Sequence, residues 1–195
     1  MNILVTGAAG FIGFHTSNIL CKSGFKVIGL DSLNNYYSVK LKEKRILKLK
    51  KDWPKNFKFI KDNLYSEKKI FDLLIKHKIT IIIHLAAQAG VRHSLKKPMD
   101  YVKNNIVAST NLMEASRKYN RIRHFLLAST SSVYASSIKM PYSEKDPADF
   151  PLQFYAATKR STELMAHSYS HLYGIPFTIL RFFTVYGPYG RPDMA

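Results

Sequence analysis

Cysteine is all but missing from this chain. Cys21 stands alone, which excludes an internal disulfide and a cysteine-built metal site, and no metal is expected. Acidic residues are scarce as well, 13 Asp plus Glu against 30 Lys plus Arg, so the net charge is +17. Long apolar runs are wanting too: those at 3–5, 27–30, 79–83, 125–127 and 179–180 fall far short of the ~20 residues that cross a bilayer. No leader of basic, then apolar, then small residues precedes the first of them. The expectation is a soluble cytoplasmic protein without a membrane partner.

What is present is a chain of 195 residues, 46% hydrophobic, long enough to fold as one domain around a sizeable core. Its charge would draw anionic ligands, whether nucleotides, nucleic acid or acidic membranes. Yet the densest basic run, 40–51, interleaves Leu41, Ile46, Leu47 and Leu49 among its cations, as the solvated face of an amphipathic helix does. No aromatic stacking motif accompanies it, so nucleic acid is not an expected partner.

Short apolar strands alternate with helix-length amphipathic stretches, the pattern of an α/β fold with a doubly wound parallel sheet. Strands are expected near 2–6, 25–30, 57–61, 79–84, 123–129 and 176–181. Helices are expected near 11–23, 39–51, 66–77, 99–119 and 154–173. The stretch 135–151, with Pro141, Pro147 and Pro151, reads as a surface loop. No helix or strand signal follows Tyr186, so the tail is expected to have little to pack against.

Gly7, Gly10 and Gly13 lie between the first strand and the first helix, where a glycine-rich turn cradles a dinucleotide pyrophosphate. Phe11 and Ile12 open that helix. The spacing is GxxGxxG rather than GxGxxG. Asp31 ends the second strand, where a carboxylate accepts the adenosine ribose hydroxyls and repels a 2′-phosphate. The expected cofactor is NAD rather than NADP.

Tyr155 and Lys159 stand four residues apart in an expected helix, so their side chains share one face. A phenol ionises near pH ~10, and a neighbouring ammonium favours its phenolate. Upstream, Ser129, Thr130, Ser131 and Ser132 put hydroxyls at the C-terminal end of the fifth strand, where such sheets bind ligands. Alone, the pair fits any solvated helix face and the serines fit a turn.

Together with the glycine loop and Asp31, these segments resemble an extended short-chain dehydrogenase/reductase of the NAD-dependent epimerase/dehydratase type, acting on nucleotide sugars. The resemblance spans the whole chain, including the His84-Leu85-Ala86-Ala87-Gln88 stretch and Asn105. It implies a Rossmann-like fold in which Leu85, Ala86, Ala87 and Asp62 border NAD and Asn105 positions the active-site elements. Within the family, Gln88 to Arg92, Arg181 to Pro188 and Gly190 to Ala195 are most similar to UDP-glucuronate 4-epimerases. The implied mechanism is transient oxidation at C4, with Tyr155 as base, Lys159 holding the ribose and lowering the phenol pKa, and Thr130 on the same sugar hydroxyl. Ser131 or Ser132 is the fallback for Thr130. Thr184 and Arg191 are implied to meet the uronate carboxylate or nearby sugar, and Gln88 and Arg92 to contact the substrate. For Arg92 and Arg191 the alternative is an ordinary surface arginine.

Related dehydratases and decarboxylases carry carboxyl groups where this chain has Ser131 and Ser132, so elimination is not expected. UDP-galactose 4-epimerisation is the alternative chemistry, and a non-catalytic NAD-binding remnant is the alternative without chemistry. Family members are longer, which implies a C-terminally truncated chain: 1–181 as NAD-binding domain and 182–195 as the start of a substrate lobe. Relatives pair through the helices placed here at 99–119 and 154–173, implying a possible homodimer. Two departures stand out: Ala135 and Ala108 occupy positions where glycine is usual, and a bulge at 135 needing positive φ would be strained.

Overall fold

The computed structural model describes residues 1–135 and 140–190. Six parallel strands form one sheet in the order β3-β2-β1-β4-β5-β6. They are β1 Asn2–Thr6, β2 Lys26–Asp31, β3 Phe57–Lys61, β4 Ile81–His84, β5 His124–Thr130 and β6 Phe177–Phe182. Each expected strand is present within one or two residues. Ile82 and Ile83 show why the sequence is legible here: both are buried, as a central parallel strand covered on two faces requires.

Helices cover both faces. α1 (Phe11–Lys22) and α2 (Val39–Asp52) pack Phe14, Ile46 and Leu49 against Ile3, Val5 and Val27. On the other face lie α3 (Glu67–Lys76), α6 (Ala108–Tyr119) and α7 (Phe154–Tyr173), which bury Leu74, Leu112, Met113 and Ala166 with Leu4, Ile82 and Phe125. Gly174, at φ 65, ends α7 in the left-handed conformation that suits glycine. Among the described residues no helix is long and apolar enough to cross a membrane.

Two expectations need correction. The helix expected at 99–119 is a composite: α5 (Pro98–Tyr101), a wider π-helical stretch (Val102–Val107), then α6. A short helix that the pattern does not signal, α4 (Val91–Lys96), precedes it. The basic run is not simply a solvated face. Lys42 is 4% exposed and Arg45 fully buried, whereas Leu47 is exposed. Of the loop expected at 135–151, residues 136–139 lie outside the described residues, and 140–151 contain no helix or strand. Ala135 has φ −58, ordinary for alanine, so the lost glycine creates no strain there.

Candidate active site

The strand order reverses between β1 and β4, which opens a crevice at their C-terminal ends. The chain leaves β1 at Gly7, whose φ of 70 lies in the left-handed region. A Cβ on Gly7 would stand 2.8 Å from the Ala86 backbone nitrogen, and one on Gly13 only 2.1 Å from the Gly7 carbonyl oxygen. Both positions therefore need glycine for the turn to close against its neighbours. Gly10 lines the crevice, and α1 begins directly after it with no side-chain cap and no acid in its first turn. The first N–H groups of a helix have no partner inside it and carry partial positive charge, so this end suits a phosphate.

Asp31 closes β2 with both oxygens engaged: Oδ2 accepts from Ala9 N at 3.1 Å and Oδ1 from Leu33 N at 2.8 Å. Burial raises its pKa, opposed by those two amides and by the charges of Lys42 and Arg45. Gly7, Gly10, Phe11, Ile12, Gly13, Asp31, Asp62, Leu85, Ala86 and Ala87 all line one cavity of about 610 Å³, a volume in the ligand-pocket range.

The same cavity reaches Thr130, Ser131, Ser132, Tyr155 and Lys159. Thr130 caps the 3-10 turn Ser131–Tyr134, its hydroxyl 3.2 Å from both Ser132 N and Ser132 Oγ. Lys159 is 2% exposed. Burial pushes its pKa down to about 8, and the Glu163 carboxylate one turn along α7 pulls it back up. Glu163 is itself buried at 2%, accepting from Ser129 Oγ, from Arg181 Nε and Nη2 at 3.1 and 2.8 Å, and from Arg160 Nη1 at 2.9 Å. Burial alone would raise its pKa, but Arg181, Ser129 and Arg160 outweigh it and hold the carboxyl below its ordinary range. Beneath, His84 bridges Thr6 Oγ1 at 2.7 Å and Ser109 Oγ at 2.9 Å. Burial, with the Lys159 charge, lowers its pKa to about 3, so the ring is neutral at working pH.

Asn105 does not line the cavity. It lies fully buried in the π-helical stretch, where Oδ1 accepts from Gln88 N at 2.7 Å and Nδ2 donates to Gln88 O at 3.1 Å and Thr158 Oγ1 at 3.0 Å. Thr158 Oγ1 in turn donates to the Tyr155 carbonyl at 2.7 Å. Asn105 thus ties the stretch after β4 to the first turns of α7. Gln88 and Thr184 reach the cavity, whereas Arg92 is exposed on α4 outside its lining. Arg191 lies outside the described residues. The cavity also takes in Tyr36, Tyr37, Lys42, Asn63 and Tyr65, none of which the sequence singled out. An aromatic and amide cluster just after β2 and β3 is the only signal that pointed there.

The tail has more to pack against than its sequence suggests. Residues 183–187 line the cavity, His15 Nε2 lies 2.8 Å from Pro188 O, and the Phe14 and Tyr189 rings are 5.1 Å apart. Its partners lie more than 140 residues earlier, out of reach of local pattern. The described carboxyls lining the cavity are Asp31 and Asp62, both at the ends of β2 and β3. Among the described residues, the end that holds Tyr155 is lined by hydroxyls and an ammonium and by no acid.

The family model described as GDP-mannose 4,6 dehydratase matches residues 4–195. The chain is 51% identical to Protein CapI of Staphylococcus aureus and 49% identical to a probable UDP-glucuronate 4-epimerase of Rhizobium meliloti. It is matched over its whole length while spanning 57% and 56% of theirs. Among solved structures it resembles the UDP-glucuronic acid 4-epimerase of Bacillus cereus in complex with UDP-glucuronic acid and NAD. The TM-score is 0.90 at 41% identity, covering all of this chain and 60% of that one.

Proposed function

The chain belongs to the GDP-mannose 4,6 dehydratase family, and from that premise we propose that it binds NAD and serves the 4-epimerisation of a UDP-sugar, UDP-glucuronate to UDP-galacturonate. The single observation that carries this is one continuous cavity joining the glycine loop and Asp31 to Thr130, Tyr155 and Lys159. The pyrophosphate would lie on Gly10, Phe11 and Ile12, the adenosine ribose on Asp31, and the second ribose on Lys159. Bound NAD would supply the hydride acceptor and donor for C4 of the sugar.

Tyr155 is the base that takes the proton from the 4-hydroxyl. Lys159 beside it favours the phenolate as long as its own amine stays protonated. Thr130 lies within the same cavity to hold that hydroxyl, with Ser131 and Ser132 next in the turn. Elimination would need an acid to take a C5 proton, and Ser131 and Ser132 cannot supply one. Inversion at C4 needs none. Thr184 and, by resemblance, Arg191 would meet the uronate carboxylate, which a guanidinium pairs with in bidentate geometry.

Incubating the purified chain with NAD and UDP-glucuronate, and separating the two epimers by chromatography, tests the reading. Tyr155→Phe should lower the rate by about 10²–10⁴-fold while NAD still binds. The wild-type rate should fall as pH rises through about 8, because Lys159 loses its proton there. A rate flat from pH 7 to 10 would remove Lys159 from this role. The span of 57–60% of its relatives gives a second reading, in which these residues bind NAD without turnover. Bound NAD with no product would favour it, since remote substrate contacts help position a reacting centre.

The proposal includes a homodimer through α6 and α7. Leu164 and Leu172 on α7 and Val107 just before α6 are exposed apolar side chains on these helices. Sedimentation at micromolar concentration should give twice the chain mass; monomer alone would remove the pairing.

A further inference from the structure

Arg45 is fully buried, yet among the described residues no carboxylate pairs with it. A buried charge is costly unless it is well hydrogen-bonded, and an apolar residue would suit a plain core position better. Its partners show what it holds. Nη1 donates to the Ala9 carbonyl at 2.8 Å and to the Tyr37 hydroxyl at 2.7 Å, while Nε and Nη2 donate to the Tyr189 carbonyl at 3.2 and 2.5 Å. Ala9 belongs to the glycine loop, Tyr37 to the stretch before α2, and Tyr189 to the segment after β6. Tyr37 itself lines the cavity, as do Gly7 and Gly10 of the loop and Gly187 and Gly190 of the segment.

Segment 187–190 crosses α1 there. Pro188 O meets His15, and the Tyr189 ring lies against Phe14. Tyr189 has φ 61, a left-handed conformation that a non-glycine residue keeps only when its surroundings hold it. The planar fork of Arg45 does so, fixing that carbonyl with two N–H groups while a third reaches the loop.

We propose that Arg45 is a positioning residue for the dinucleotide, latching segment 187–190 onto the glycine loop so that bound cofactor leaves only when the latch opens. The inference rests on the NAD reading above. It makes cofactor release, rather than entry alone, depend on a residue that touches no part of the ligand. A cofactor that is regenerated in each cycle benefits from slow release.

The test uses the 195-residue chain with Arg45→Met and Arg45→Lys. Amide hydrogen exchange in the absence of cofactor reads the latch directly. Arg45→Met should speed exchange at Gly190, whose N–H donates to Gly187 O in the 187–190 turn, by tenfold or more while β4 and β5 keep their protection. Stopped-flow displacement of NAD should show dissociation at least tenfold faster with association within about twofold, and Arg45→Lys should fall between. A merely structural arginine would lower protection throughout and leave the dissociation rate alone, and that result overturns the proposal. Should Arg45→Met not fold, Arg45→Lys carries the same comparison, and unchanged exchange at Gly190 in it overturns the latch. If the wild-type chain binds no NAD, the positioning role falls with that reading, while the exchange data still judge the latch by itself.

Discussion

Gly13→Ala is expected to abolish measurable NAD binding, lowering affinity by at least 100-fold. The added Cβ would sit 2.1 Å from Gly7 O, 2.8 Å from Gly7 C and 2.9 Å from Ala8 Cα. None of these atoms is the end of a flexible side chain, so the loop itself has to move by more than an ångström. The same loop is pinned on its far side, because Gly7 N donates to Leu30 O at 2.8 Å and Gly7 backs onto Ala86. Overpacking of this kind costs about 1–3 kcal/mol in stability, and the phosphate cradle deforms with it. Gly24→Ala is the control. Gly24 has φ +85 but nothing within 4 Å of an added Cβ, so it should cost about 1–2 kcal/mol and leave NAD affinity unchanged. Calorimetry and thermal unfolding of both variants separate the outcomes. Gly13→Ala binding NAD like wild type would show that the loop does not hold the pyrophosphate.

Glu163→Ala should be the most destabilising single change in the site, by about 3–5 kcal/mol. Glu163 accepts from three side chains on three elements: Ser129 at the end of β5, Arg160 on α7 and Arg181 on β6. Removing it leaves two guanidinium groups close together without an acid between them, and among the described residues Arg160 Nε has no hydrogen-bond partner. Arg181 would retain the Tyr134 hydroxyl at 2.6 Å, and Arg160 would retain Asp149 at 3.1 Å on the exposed side. Neither replaces a buried carboxylate. The loss should also drop the Lys159 pKa below about 8, since Glu163 is what opposes burial there. Denaturant unfolding reads the first effect. A loss under about 1 kcal/mol would mean that the cluster opens to water and contributes little.

The sheet was legible because its signal is local. A strand buried on both faces needs an unbroken apolar run, and Ile3 to Val5 or Ile81 to Ile83 cannot hide among charges. The glycine loop was legible for a related reason, since its spacing is set by a turn and one helical rise. What escaped was everything held by distant partners. The π-helical stretch around Asn105 carries no periodic mark, because the widened turn accompanies a side chain bonded to Gln88 and Thr158. Arg45 and Lys42 looked like solvent-facing cations. Their acceptors include a backbone carbonyl in the glycine loop, one in the tail, the Tyr37 hydroxyl and Asn34, none of which a helical pattern can announce. Arg92, which the resemblance offers for the substrate with a surface arginine as the alternative, stands exposed on α4 outside the cavity lining.

Titrating NAD into the purified 195-residue chain by calorimetry, then adding UDP-glucuronate to the complex, tests the central claim most directly. Saturable binding of one NAD per chain is the expected result. Weaker binding of NADP is also expected, because a carboxylate at Asp31 repels a 2′-phosphate. Binding of the sugar nucleotide to that complex would extend the claim from cofactor to substrate. A chain that is folded by circular dichroism yet gives no heat with NAD would contradict it.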